Sequence, residues 1–147
     1  MKKAAIGILV SILSLPVIAA EGRWTEGFGQ GNLEYFIDMQ GFRLYIGCPT
    51  QMGSADSQSS VSLSKITNES ETEISQFTVT VDGITYDGPF SADSRAGDNN
   101  FISFLEGIRK GDAVVKFGTS TVTFPKSNAS KVVPIFESKD FSCNMSG

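Results

Sequence analysis

The chain is 147 residues long, carries 12 Lys and Arg against 16 Asp and Glu for a net charge of −4, and contains no histidine. An acidic balance excludes the clustered Lys and Arg that nucleic-acid phosphates require, and it suits anionic lipid equally badly. The missing histidine removes the usual general base, the Ser-His-Asp and Cys-His arrangements and the commonest metal ligand.

The N-terminus reads as a leader. Met1-Lys2-Lys3 is basic, Ala4 to Leu15 is apolar, and Pro16-Val17-Ile18-Ala19-Ala20 is a small-residue exit, the three-part pattern of a secretory signal peptide. Val17 and Ala19 fit the small −3/−1 positions, so cleavage is expected after residue 19, with Ala20 the next best site. The apolar run is short for a hydrocarbon core about 30 Å thick, and no stop-transfer charge follows it. No cysteine stands at the cut to take a lipid. The expected organisation is a signal peptide over 1–19 and one exported domain over 20–147, with a charge of −6 once Lys2 and Lys3 are gone. A domain of that size can bury a real core. No later apolar run spans a membrane, so the mature chain is expected in the periplasm or secreted.

Glu21 to Asn32 places three glycines around Trp24 and Phe28 with no helical period, and reads as an irregular segment. Its two aromatics either fold back over one end of the core or form an exposed pair that binds a partner. Leu33 to Met39 is a strand with imperfect alternation, Gln40-Gly41 a turn, and Phe42 to Ile46 a strand with Phe42, Leu44 and Ile46 on one face and Arg43 and Tyr45 on the other. Pro49 to Ser60 is a polar loop; Val61 to Ile66 resumes alternation with Val61 and Leu63 inward. Glu69, Glu71 and Glu73 then fall at i, i+2 and i+4. They fit a solvated strand end better than a cation site, which would add glycine turns and carbonyl ligands.

Asp82-Gly83, between Phe77–Val81 and Ile84–Tyr86, supplies the positive φ angles of a two-residue type I′ hairpin. Ser91 to Asn100 reads as the most polar loop of the chain. Phe101, Phe104, Leu105 and Ile108 follow at i, i+3, i+4 and i+7, which predicts a helix over Phe101–Lys110, capped by Asn99 or Asn100 and ended by Gly111 at positive φ. Ala113–Phe117 and Ser120–Phe124 form a strand pair about Gly118-Thr119. Pro125 stops the second strand, and Ser127 or Asn128 is placed to cap a short helix that Pro134 must limit. In the polar loop, Asp93, Asp98 and Asn100 lack the ligand spacing of a calcium loop. Asp93, Arg95 and Asp98 instead form a candidate partner-binding set, because free N–H groups at the helix start and Arg95 can receive an acidic group.

Two cysteines remain after the leader, Cys48 and Cys143. In an oxidising compartment such an isolated pair is expected as a disulfide, fastening the C-terminal tail to the end of an early strand. The competing reading is one reactive and one buried thiol. With both sulfurs paired, a thiolate zinc site also goes. No phosphate-cradling glycine loop and no Gly-x-Ser-x-Gly elbow occurs, and nothing selects two carboxylates for glycoside chemistry. No metal and no cofactor is expected.

The C-terminal third, with Phe104-Leu105-Glu106-Gly107-Ile108-Arg109-Lys110-Gly111, a strand pair, Thr123-Phe124-Pro125 and an apolar segment ending at Cys143, resembles the invasion-associated locus B family of small exported bacterial proteins. The resemblance implies a periplasmic β-rich fold without catalytic residues. The expected architecture is mainly β, an antiparallel β-sandwich or curved sheet with one or two short helices in the C-terminal half. The expected function, reached by elimination, is a non-catalytic protein-binding module such as an inhibitor, an immunity factor or an envelope accessory factor, with another periplasmic or envelope protein as partner. The alternative is a structural or assembly component of an envelope or secretion complex.

Overall fold

The computed structural model describes residues 20–29, 31–50 and 58–146. The leader expected over 1–19 and most of the loop expected over 49–60 fall outside them. In chain order the elements are β1 (Thr25–Gly29), β2 (Asn32–Met39), β3 (Phe42–Pro49), β4 (Ser60–Ile66), β5 (Glu71–Glu73), β6 (Phe77–Val81), β7 (Ile84–Gly88), β8 (Phe90–Ser91), α1 (Arg95–Lys110), β9 (Ala113–Phe117), β10 (Ser120–Phe124) and α2 (Ala129–Val132). One sheet runs β1-β2-β3-β4-β5 with β8 also on β4, and the other runs β10-β9-β6-β7. Every pairing is antiparallel, as the sandwich reading expected.

Local turn chemistry sets the hairpins. Gln40 and Gly41 have φ of 52° and 82°, and Asp82 and Gly83 have 50° and 78°, the paired positive angles of type I′ turns. These fix Met39 opposite Phe42 and Val81 opposite Ile84. Period-2 alternation then sorts the faces. Tyr35 and Ile37 of β2 lie opposite Ile46 and Leu44 of β3, which lie opposite Val61 and Leu63 of β4. All six are buried, and they share one core with Phe77, Val79 and Val81 of β6, Val115 of β9, and Val122 and Phe124 of β10. Ile84, expected with the apolar flank of its hairpin, is exposed.

The other face of the first sheet is polar but closed on itself. Arg43 donates to both carboxylate oxygens of Asp38, at 2.7 and 2.9 Å, lies 4.3 Å from the centre of the Phe36 ring, and Tyr45 donates to Glu34 at 2.9 Å. A bidentate pair directly opposite in register satisfies the buried carboxylate of Asp38. The hydrogen bond to Asp38 is also the main reason the Arg43 pKa rises.

α1 corrects the expected helix. It begins at Arg95 rather than Phe101, with Ser94 as cap, its hydroxyl accepting from the Gly97 N–H at 3.0 Å. It ends on Gly111 at φ −152°, an extended angle rather than the expected positive one. Hydrophobic periodicity is silent over Arg95 to Asn100 because these residues form the polar first turns. The expected apolar face is correct: Phe101, Phe104, Leu105 and Ile108 are buried, and Gly107 lets α1 approach β6 closely, since a Cβ there would lie 3.1 Å from Val81 Cγ1. Phe104 meets Tyr86 and Phe90 edge to face.

Two further expectations change. The segment 21–32 is not irregular, because Thr25–Gly29 pairs residue for residue with β2; its glycines are poor strand formers, and the ladder overrides them. Asn128 precedes α2 but makes no side-chain cap. Its amide instead accepts from the Trp24 N–H at 2.7 Å and donates to the Trp24 carbonyl at 2.9 Å. α2 stops after one turn, with Val133 extended as the residue before Pro134.

Cys48 and Cys143 are bonded, closing a separation of 95 residues. The residue after that bond is held as well: the Asn144 N–H donates to the Pro49 carbonyl, and the Ser59 N–H donates to the Asn144 carbonyl. Reduction is therefore expected to lower the unfolding free energy by roughly 4–5 kcal/mol, the loop-closure value for a loop of this length. Urea titration with and without reductant measures it, and coincident midpoints would contradict it. Leu105→Ala is expected to cost about 2–4 kcal/mol through lost transfer energy and a residual cavity. Glu106→Ala, one residue on and exposed, should stay within about 0.5 kcal/mol.

Candidate binding cleft

Where β1 and β2 pass under the chain that follows α2, a cleft of about 450 Å³ opens. Glu26 of β1 and Tyr35 of β2 face it from the sheet, Arg109 from the last turn of α1, and Ile135, Ser138 and Asp140 from the chain above. Glu26 and Tyr35 are directly opposite in the ladder, so their side chains share one sheet face. The same alternation puts Trp24 and Phe28 on that face, on either side of Glu26. The guanidinium of Arg109 donates to the Val133 carbonyl and so ties the turn after α2 to α1. A shallower depression, shared through Arg109, Ser130 and Ile135, adds Glu106 and Lys110.

The polarity of the cleft is uneven. Tyr35 is only 2% exposed, and burial, reinforced by the negative charges of Glu26 and Asp140, pushes its phenol up to about 12. Its hydroxyl has no hydrogen-bond partner among the described residues, and neither has the buried hydroxyl of Ser138. Two large apolar side chains are exposed, Ile135 in the cleft lining and Phe28 two residues from Glu26 on the same face of β1. Phe28 is 70% exposed and Ile135 54%, two of the three large exposed hydrophobics among the described residues.

The residues singled out from sequence separate. Of the N-terminal aromatics, Trp24 is 3% exposed and belongs to the core, whereas Phe28 is exposed. Asp93 and Arg95 are exposed at the start of α1. Asp98, in the first turn, accepts from the N–H of Ser146 at 3.0 Å and from its hydroxyl, so it anchors the tail. Asp98 and Arg109 are eleven residues apart on one helix, about 16 Å along its axis, so this set and the cleft lie at opposite ends of α1. Sequence reasoning missed Glu26, Tyr35, Arg109 and Asp140, which no spacing connects; only Ile135, an apolar residue after Pro134, carried a local signal. Among the described residues no group of three or more His, Cys, Asp or Glu could hold a metal ion; Glu71 and Glu73 are exposed on β5, Glu71 lying 3.9 Å from Arg43. No helix among them is long and apolar enough to cross a membrane.

The sequence model of the YfjT family matches residues 22–133, from just before β1 to just after α2. The uncharacterized protein YfjT of Escherichia coli (strain K12) is 36% identical over 104 residues, covering 66% of this chain and 66% of that protein, just under two thirds of each. The match overturns the resemblance to the invasion-associated locus B family. That resemblance rested on a helix, a strand pair and a Cys-ended tail, features that many small β-rich chains share. No solved structure matches.

All three tyrosines are raised, Tyr45 by burial and then its bond to Glu34, and Tyr86 by burial. A phenol whose folded pKa exceeds its unfolded value of about 10 contributes stability that is complete below pH 10 and is lost as pH rises through the folded value. The melting temperature is therefore expected to hold up to about pH 10 and to fall as pH approaches 12. Phenolate absorbance of the folded protein should stay low at pH 10; ionisation there of one phenol in three would contradict the burial of these side chains.

Proposed function

We propose that this chain, which belongs to the YfjT family, is an exported, non-catalytic protein-binding module of the periplasm or envelope, of the inhibitor, immunity or accessory-factor kind. The observation that carries the reading is exposed apolar surface, Ile135 in the cleft lining and Phe28 two residues from Glu26 on the same face of β1, together with a cleft-lining phenol whose hydroxyl has no partner among the described residues. Exposed aromatics next to a concave, partly polar surface are the usual anchors of protein recognition. The leader-like N-terminus and the Cys48–Cys143 bond support an oxidising compartment. One observation favours a second reading, a component of an envelope or secretion complex: β1 is the end strand of its sheet, and such an edge can pair with a neighbouring subunit.

The test is capture from periplasmic extract with wild type and Phe28→Asp. Because Phe28 is exposed, the substitution should change stability by no more than about 0.5 kcal/mol. Capture of a soluble partner is expected to fall at least tenfold. Undiminished capture would remove the cleft from consideration, and recovery of a membrane complex instead of a soluble protein would favour the assembly reading.

A further inference from the structure

We infer that the partner presents an extended segment that adds as an antiparallel strand to β1 and sets a Lys or Arg side chain against Glu26, Asp140 and Tyr35. This rests on the cleft being the binding surface. β1 pairs with β2 over all five of its residues, and among the described residues nothing pairs with its other edge. Its sequence, Thr-Glu-Gly-Phe-Gly, carries no proline, no lysine and no break in register, and its single charge, Glu26, is turned to the cleft. Backbone groups along such an edge can receive another chain, with alternate side chains giving specificity.

The identity of those side chains follows from what Glu26 and Phe28 face. A residue placed opposite Glu26 extends the row that continues through Glu26 to Tyr35. Tyr35 is more than nine-tenths buried, lines the cleft and has an unused hydroxyl. The charges that bear on that hydroxyl, Glu26 and Asp140, are both negative. An ammonium or guanidinium carries enough donors to serve two carboxylates and the phenol oxygen together, whereas an anionic side chain meets repulsion from both acids. Arg109 and Lys131 line the cleft as well, Arg109 donating to the Val133 carbonyl, but the charges named on the Tyr35 phenol are those of the two acids. Two residues away on the same face, Phe28 offers an apolar surface. In an antiparallel pairing the incoming chain meets Phe28 before Glu26, so the segment reads apolar, any residue, basic from its N-terminus.

The experiment is an NMR titration of the disulfide-bonded chain with two capped pentapeptides, Thr-Val-Thr-Lys-Thr and Thr-Val-Thr-Glu-Thr. The lysine peptide is expected to shift the amides of Thr25–Gly29 and to bind at least fivefold more tightly than the glutamate peptide. Glu26→Gln with Asp140→Asn should abolish that difference, and Tyr35→Phe should weaken the lysine peptide. Equal affinity for the two peptides, shifts confined to other strands, or no shift at millimolar peptide overturns the inference. The failures remain separable: a partner lost by Phe28→Asp but kept by the double variant sinks the strand-addition inference and leaves the cleft standing. A partner kept by both sinks the cleft reading itself.

Discussion

Cys143 is joined to Cys48 at the end of β3, and the consequences of that bond reach well beyond loop closure. Among the described residues the chain after α2 carries no helix and no strand, so little of its own backbone hydrogen bonding holds it in place. It stays over the sheet because its far end is fastened. Asn144 bridges Pro49 and Ser59 beside the disulfide, Ser146 is bound by Asp98, and Arg109 grips the Val133 carbonyl at the near end. Held at both ends, this chain forms the wall of the cleft that contains Ile135, Ser138 and Asp140. Covalent and polar fastening thus acts together with the packing of Val133, Phe141 and Met145 on the core to shape the cleft.

The two faces of the first sheet show how similar residues take different roles. On the outer face Asp38, Arg43, Glu34 and Tyr45 are paired with one another, so their polar groups have no remaining demand. On the inner face Tyr35 sits almost wholly buried with its hydroxyl unused, between acids that raise its pKa. Tyr35 lines the cleft and its hydroxyl takes no protein partner among the described residues, whereas the outer-face groups bind one another.

Strand β1 links these features. Trp24 is locked at its N-terminal side by the Asn128 amide, which takes both backbone groups of that residue in place of a neighbouring strand. Beyond that clamp no described residue pairs with the edge, and the same strand supplies Glu26 to the cleft and carries the exposed Phe28 two residues on. Glu26 and Phe28 therefore sit on a strand whose position is set by a ladder on one side and a side-chain clamp at one end.

Much of the architecture was legible in the residues alone. Asp82-Gly83 and Gln40-Gly41 dictate their turns because few residue pairs adopt two successive positive φ angles, and alternation about them assigns the core faces of β2, β3, β4 and β6. The apolar spacing from Phe101 to Ile108 gave the buried face of α1, and two lone cysteines implied their bond. Tertiary structure alone decided the rest. The first turns of α1 are polar and exposed, so no periodicity marks them, and β1 is a strand only because β2 lies beside it. Asn128 became a clamp for Trp24 rather than a helix cap, a choice made across 104 residues. The cleft draws on residues as far apart as Glu26 and Asp140, brought together by ladder register and a disulfide. Sequence patterns report local conformation and which face is buried; they carry no record of which distant surfaces meet, because those contacts are set by the packing of whole elements.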